Sequence, residues 1–187
     1  EGRPHPEIFQ GGNSTDAKGM AGRVSDWYFA NGNTPDGFEE QVRDVRDVAQ
    51  VHGREGDVRF ALNGFMIARD TEAEAKDVLR EIVAKADREA VEGFGAAVKQ
   101  AGSSTGDGKG MWQDSEFEDL VQYNDGFRTG LIGTPEQVAD RIVELKRRGA
   151  DLILCGFLHF HDDVRYFGEK VLPLVREMEA AEREPAR

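Results

Sequence analysis

Five residues near the start of the chain, Gln10-Gly11-Gly12-Asn13-Ser14, have the composition of an anion-binding turn. Glycines allow a ligand to approach the backbone closely. A helix beginning at Ser14 would also point N–H groups and the positive end of its dipole at that ligand. A phosphate suits such a place. The same residues equally make an Asx-type turn closed by a capping serine, with no ligand at all. A second polar group stands near the other end, in Phe157-Leu158-His159-Phe160-His161-Asp162-Asp163. On an extended segment His159 and His161 share a face, and with two aspartates beside them they have metal-ligand chemistry. The aspartates also suit the acidic first turn of a following helix. That second reading is preferred, so no metal is assigned. The single cysteine, Cys155, lies in an apolar run. A packing role fits it better than nucleophilic chemistry, which needs a basic, partly exposed neighbourhood.

Strand–helix units must position these groups. Residues 7–11 read as a first strand and residues 26–31, with Trp27, Tyr28 and Phe29, as a second. Thr34 caps a helix that opens with Pro35, carries Phe38, Val42, Val45 and Ala49 at helical spacing and stops at Gly53. Residues 58–69 read as a third strand interrupted by Gly64, and Thr71 and Glu74 form a capping box for the next helix. The pattern weakens over residues 87–129, where residues 102–110 are rich in glycine and serine, and an insertion of this kind is often a functional lid. Order returns at Thr134-Pro135-Glu136-Gln137, which opens a helix ending at Gly149. A continuous apolar strand, 151–157, follows. A last helix is expected from about Asp162, kinked or restarted by Pro173. Four alternating units of this kind build a parallel sheet, either open and doubly wound or half of an eightfold barrel.

Composition narrows the function class. The 187 residues include 39% hydrophobic and 32% charged side chains, enough for one domain with a core. The formal charge is −12 without a Lys/Arg cluster, which sets nucleic-acid binding aside. The longest apolar run, residues 152–158, is too short to cross a membrane. With one cysteine and no possible internal disulfide, the cytoplasm is the expected compartment.

Four stretches taken in order carry a resemblance: residues 8–14 (IFQGGNS), 23–33 (RVSDWYFANGN), 117–142 (FEDLVQYNDGFRTGLIGTPEQVADRI) and 156–179 (GFLHFHDDVRYFGEKVLPLVREME). Together they resemble the bacterial luciferase-like monooxygenases, which use reduced flavin, and the resemblance runs from Arg3 to about Glu179. It implies an α/β fold: the C-terminal half, strands five to eight, of a (β/α)8 TIM barrel with an insertion after strand seven. The whole chain, 1–187, is then a single partial domain with residues 87–129 as a lid. Half a barrel has two open sheet edges, so it needs its other half or a homo-oligomer to close.

The resemblance also assigns roles at the strand ends. It implies that Gln10, Gly11, Gly12, Asn13 and Ser14 hold the phosphate of FMN, with Tyr28 and Asn31 beside the flavin and packing an equal possibility for Tyr28. The cofactor arrives as FMNH2 from a separate NAD(P)H-dependent flavin reductase. Asn63 and Phe65 stand where the alkanesulfonate branch carries Arg and His, and Phe157 where it carries Tyr. An uncharged site fits a small neutral sulfone better than an anion. His159 is placed at the pocket rim as a polar or proton-shuttling group. In the lid, Asn124 aligns with the family's shielding arginine; Arg128 lies nearby, and a loop arginine paired with a surface carboxylate is its other reading. The implied function is oxidation of dimethyl sulfone by O2 to methanesulfinate. Two alternatives stay open: a monooxygenase of alkanesulfonates or other small organosulfur compounds, and a non-catalytic half barrel.

Overall fold

The computed structural model describes residues 5–103, 106 and 112–183, so part of the glycine- and serine-rich stretch lies outside it. In chain order the elements are β1 (Phe9–Gly11), α1 (Thr15–Val24), β2 (Trp27–Ala30), α2 (Pro35–Val51), β3 (Arg59–Phe65), β4 (Ile67–Ala68), α3 (Glu72–Ala84) and α4 (Arg88–Gly102). Then come α5 (Phe117–Leu120), a 3-10 turn (Gly126–Thr129), β5 (Ile132–Gly133), α6 (Pro135–Arg147), β6 (Leu152–Gly156), α7 (Phe160–Tyr166) and α8 (Leu172–Arg183). Helix starts fall where side-chain oxygens can satisfy the first free N–H groups. Ser14, Thr34, Thr71 and Thr134 each accept from the backbone N–H three residues on, at 3.2–3.3 Å. Gln137 and Glu74 answer reciprocally. Between α7 and α8 the chain widens into a π-turn, Phe167–Val171, with the Leu172 N–H bonded to the Phe167 carbonyl. Pro173, which has no N–H to offer, sits at the restart that follows.

The main sheet has the order β1-β2-β3-β6, with every pairing parallel. Strand order follows chain order without the reversal that marks a doubly wound sheet, so the arrangement is that of half a barrel. Period-2 geometry gives the sheet two distinct faces. Tyr28, Ala30, Phe60 and Leu62 look outward and pack with Phe38, Val42, Val45, Val138 and Val143 from the helices. The register aligns Phe9, Trp27 and Arg59 on the inner face, and above them Gly11, Phe29, Ala61 and Leu152. Asn63 and Leu154, then Phe65 and Gly156, complete it. At the floor Phe9 stacks on Trp27 with ring centroids 5.2 Å apart, and the Arg59 guanidinium lies over the same indole at 4.0 Å. The Glu7 carboxylate accepts from both the Trp27 indole (2.9 Å) and Arg59 (2.6 Å). Phe9 remains 52% exposed and Leu154 55% exposed, because each looks into the side where further strands would stand.

Three elements differ from the sequence reading. The third strand breaks at Met66, not Gly64: β4 leaves the main sheet and pairs with β5, while the Met66 N–H bonds the Gly156 carbonyl at 2.9 Å. Gly64 instead admits Leu131, whose Cδ1 lies 2.6 Å from where a Cβ would stand. The weakly patterned segment contains a fifteen-residue helix, α4, capped by Asp87 and packed through Gly95 against Leu120. Finally, α7 begins at Phe160, ahead of Asp162, so His159 and His161 do not share a face of an extended segment. The Asp163 carboxylate fixes that start: one oxygen accepts the His159 N–H at 2.9 Å and the other pairs with Arg69 at 3.0 Å.

One long-range seating holds residues 122–129 across the strand ends. The Asn124 carbonyl accepts the Gly32 N–H at 2.8 Å and the Asn63 side-chain amide at 3.3 Å. A Cβ on Gly32 would lie 2.0 Å from the Asp125 carbonyl oxygen. No side chain fits there. Gly32→Ala should therefore cost about 1–3 kcal/mol, the usual penalty of overpacking. Urea unfolding would read the loss of stability, and hydrogen exchange should show faster exchange at the Gly32 amide.

Candidate functional site

The ends of β1, β2 and β3 form a polar rim. At the end of β1 the chain turns through Gly12, whose φ of +120° favours glycine and whose missing Cβ would lie 2.7 Å from the Ala17 methyl. Beyond it starts the ten-residue α1, capped by Ser14. The turn is braced from beneath. The wholly buried Tyr28 donates its hydroxyl to the Gly12 carbonyl at 2.9 Å, and burial, aided by the Asp44 charge, holds that phenol above its ordinary pKa. From the side, the Gln41 amide donates to Asn13 Oδ1 at 3.0 Å, and Gln10 folds back onto the Gly11 carbonyl at 2.7 Å. A bare backbone turn at a helix start, stiffened by side chains that lie behind it, is a fit seat for a phosphate.

At the end of β3, Asn63 and Phe65 both engage the segment across the rim. Asn63 is 7% exposed and spends its amide on the Asn124 carbonyl, while Phe65 meets Phe127 edge-on at 5.1 Å. The structure thus brings Asn63, Phe65, Asn124 and Arg128 into one neighbourhood. Arg128 forms no ion pair among the described residues; it borders a cavity beside Asp125. Two other candidates stand apart. Phe157 packs with Phe167 at 5.9 Å in the helix layer, and His159 is an exposed residue at the start of α7. Burial pushes the Cys155 thiol up to about 11, which suits packing and not nucleophilic attack.

Two residues that the sequence reading passed over matter here: Gly32 and Asp125. Asn124-Asp125-Gly126 is a tripeptide that tolerates left-handed backbone, which was the available signal. Asp125 does adopt it, at φ 55°. The residue is 3% exposed, and its side chain takes one hydrogen bond from Ser115 at 2.8 Å and leaves Oδ1 without a partner among the described residues. Burial raises the carboxyl to about 6, against the opposing pulls of Ser115 and Arg128.

Because the folded pKa is raised, the seated segment favours neutral Asp125. Its stability is greatest below the ordinary carboxylate pKa, falls as pH rises from about 4 to about 6, and is flat above that. The loss should reach on the order of 2–3 kcal/mol. Asp125→Asn removes this dependence and should be more stable than the parent at pH 8, with the gap closing near pH 4; urea unfolding across that range checks it.

With this geometry in hand, the relatives can be placed. The family model for luciferase-like monooxygenases matches residues 1–152. The FMNH2-dependent dimethylsulfone monooxygenase of Pseudomonas putida is 61% identical over 181 residues, 97% of this chain and 49% of the relative. A protein of the same name from Pseudomonas fluorescens is 59% identical over 175 residues, 94% of this chain and 48% of the relative. Among solved structures, a riboflavin lyase determined with modified FMN and riboflavin gives a TM-score of 0.73 at 26% identity, covering 93% of this chain and 43% of that one. The chain spans about half the length of the curated relatives it matches, in keeping with its four sequentially ordered strands. Half a barrel, a glycine turn at the end of its first strand and a family match over four-fifths of its length lead to one conclusion: the chain belongs to the luciferase-like monooxygenase family.

Proposed function

We propose that this chain is the flavin-phosphate-holding half of a reduced-flavin-dependent monooxygenase that oxidises dimethyl sulfone to methanesulfinate. The observation that carries the reading is the 61% identity, across nearly the whole chain, to a relative named for that reaction. The local chemistry agrees. Gly12, Asn13 and Ser14, with Gln10 and Gly11 leading in, offer backbone and the start of α1 to a phosphate. When bound, reduced FMN supplies the electrons for splitting O2, so that one oxygen atom goes to the substrate.

The rest of the task falls to the protein: to hold, orient and exclude water. Tyr28 and Gln41 keep the turn rigid from behind. Residues 122–129, Asn124 and Arg128 among them, are seated on Gly32 and Asn63 and cover the rim beside which a bound flavin and its substrate would lie. Asn63 and Phe65 present no charge at that rim, while Phe157 lies apart from it in the helix layer. That neutrality favours a sulfone over a sulfonate, whose anion would lack a partner cation. His159, exposed at the end of β6, is left for proton exchange with solvent. Among the described residues no helix is long and apolar enough to cross a membrane. A cytoplasmic enzyme fed by an NAD(P)H-dependent flavin reductase accords with all of this.

The half-exposed Phe9 and Leu154 call for four further strands, from a longer chain or from a second copy. Joined to the preceding half of the P. putida relative, the chain should release formaldehyde from dimethyl sulfone in the presence of reduced FMN and O2. Alone it should not. Preference for an alkanesulfonate over dimethyl sulfone would overturn the substrate assignment. In the joined protein Asn63→Arg should reverse the preference toward sulfonates. Gly12→Val should raise the Kd for FMN about tenfold or more, about 1.4 kcal/mol, with a smaller effect on riboflavin, which lacks the phosphate; isothermal titration would measure both.

A further inference from the structure

Behind the sheet, between β6, α6 and the helices that follow β6, lies a pocket of about 670 Å³, a size usual for small-molecule sites. Its wall is apolar and made by Met66, Ile142, Ile153, Cys155 and Phe167. Ile153 and Cys155 reach it because they alternate along β6 with Leu152 and Leu154, which belong to the inner face. Met66 is buried, whereas the other four stay partly open to the pocket while packing on the main core. The mouth is polar. Arg46, Lys146, Arg147, Asp151 and Glu179 stand there, around the loop that precedes β6, at the opposite end of the strands from the rim. We propose that this pocket binds an amphiphilic carboxylate, a medium-chain apolar tail with one anionic head.

Pairing at the mouth decides the charge of the head. Lys146 is committed to Glu179, and Arg147 to Glu182 at 2.6 Å. One Asp151 oxygen accepts the Phe60 N–H at 2.8 Å. Arg46 forms no ion pair among the described residues. Its guanidinium is nevertheless held in place, over the Phe60 ring at 5.0 Å and beside Gly149, where a Cβ would stand 3.4 Å from its nitrogen. A positioned, unpaired guanidinium fits a carboxylate through two parallel hydrogen bonds. An alcohol of equal length would fill the apolar part and leave that fork unused. A cationic amphiphile would meet three positive side chains with Glu179 and Asp151 already engaged. A small anion such as phosphate would gain the charge contact and nothing from the apolar wall. An amphiphilic carboxylate uses both parts.

The pocket is separate from the glycine turn, and its occupancy does not rest on flavin binding there. Octanoate titrated into the 187-residue chain should shift the backbone amides of residues 149–155 in NMR spectra, leave those of residues 12–16 unmoved, and slow alkylation of the Cys155 thiol. Arg46→Gln, a substitution at an exposed residue, should weaken octanoate about tenfold or more and leave octanol unchanged. Butyrate should bind the parent about tenfold or more weaker than octanoate, for want of four methylenes. Circular dichroism checks that the variant keeps its fold. The chain joined to the preceding half of the P. putida relative should bind octanoate equally well; loss of binding there would mean that the preceding half fills the pocket, and would overturn the proposal. Absence of shifts at about 5 mM octanoate, equal affinity of the parent for octanoate and octanol, unchanged octanoate affinity in Arg46→Gln, or preferential binding of octylammonium or inorganic phosphate at these residues would overturn it as well.

Discussion

The rim depends on one close approach, the backbone of residues 124–126 lying directly against Gly32. Nothing larger than hydrogen fits between them. This contact places the Asn124 carbonyl where both β2 and β3 can donate to it, through the Gly32 N–H and the Asn63 amide. It also draws Asp125 under the surface, where burial raises the pKa of its carboxyl to about 6. Phe127 then meets Phe65, and Arg128 is brought to the edge of the cavity. A segment distant in sequence thus becomes part of the strand ends that it covers.

A second constraint comes from the sheet. Four parallel strands in chain order curve toward a closed barrel, yet the inner face is only partly covered: at its floor Phe9, Trp27, Arg59 and Glu7 pack and pair together, with Phe9 still half-exposed. Higher up, Leu154 is left uncovered. The outer face shows the opposite state, with Tyr28, Phe60 and Leu62 sealed beneath helices. The asymmetry has a simple origin. Each crossover helix covers the outer side of its own strands, whereas the inner side of a barrel is filled by layers drawn from strands all round the ring.

Much of this was legible in the sequence where the signal was local. Thr34 before Pro35, Thr71 with Glu74 and Thr134 with Gln137 mark helix starts, because a cap and its N–H lie three residues apart. The glycine turn announced itself for the same reason. Helix α4 did not, since Gly93 and Gly95 dilute its stripe of Val91, Phe94 and Val98; its Asp87 cap was the readable clue. The seating of residues 124–126 on Gly32 joins positions more than ninety apart, and no local pattern encodes such a contact. His159 misled for a related reason: the Arg69–Asp163 pair that starts α7 early spans a similar distance.

The central claim is that the turn after β1 receives the phosphate of a flavin, and amide NMR tests it most directly. Titration of the chain with FMN should shift the backbone amides of residues 12–16 first and most. Riboflavin, lacking the phosphate, should leave those five amides nearly unmoved. If FMN and riboflavin perturb the turn equally, or FMN perturbs only residues elsewhere, the turn is a structural reversal and the account of the site is wrong.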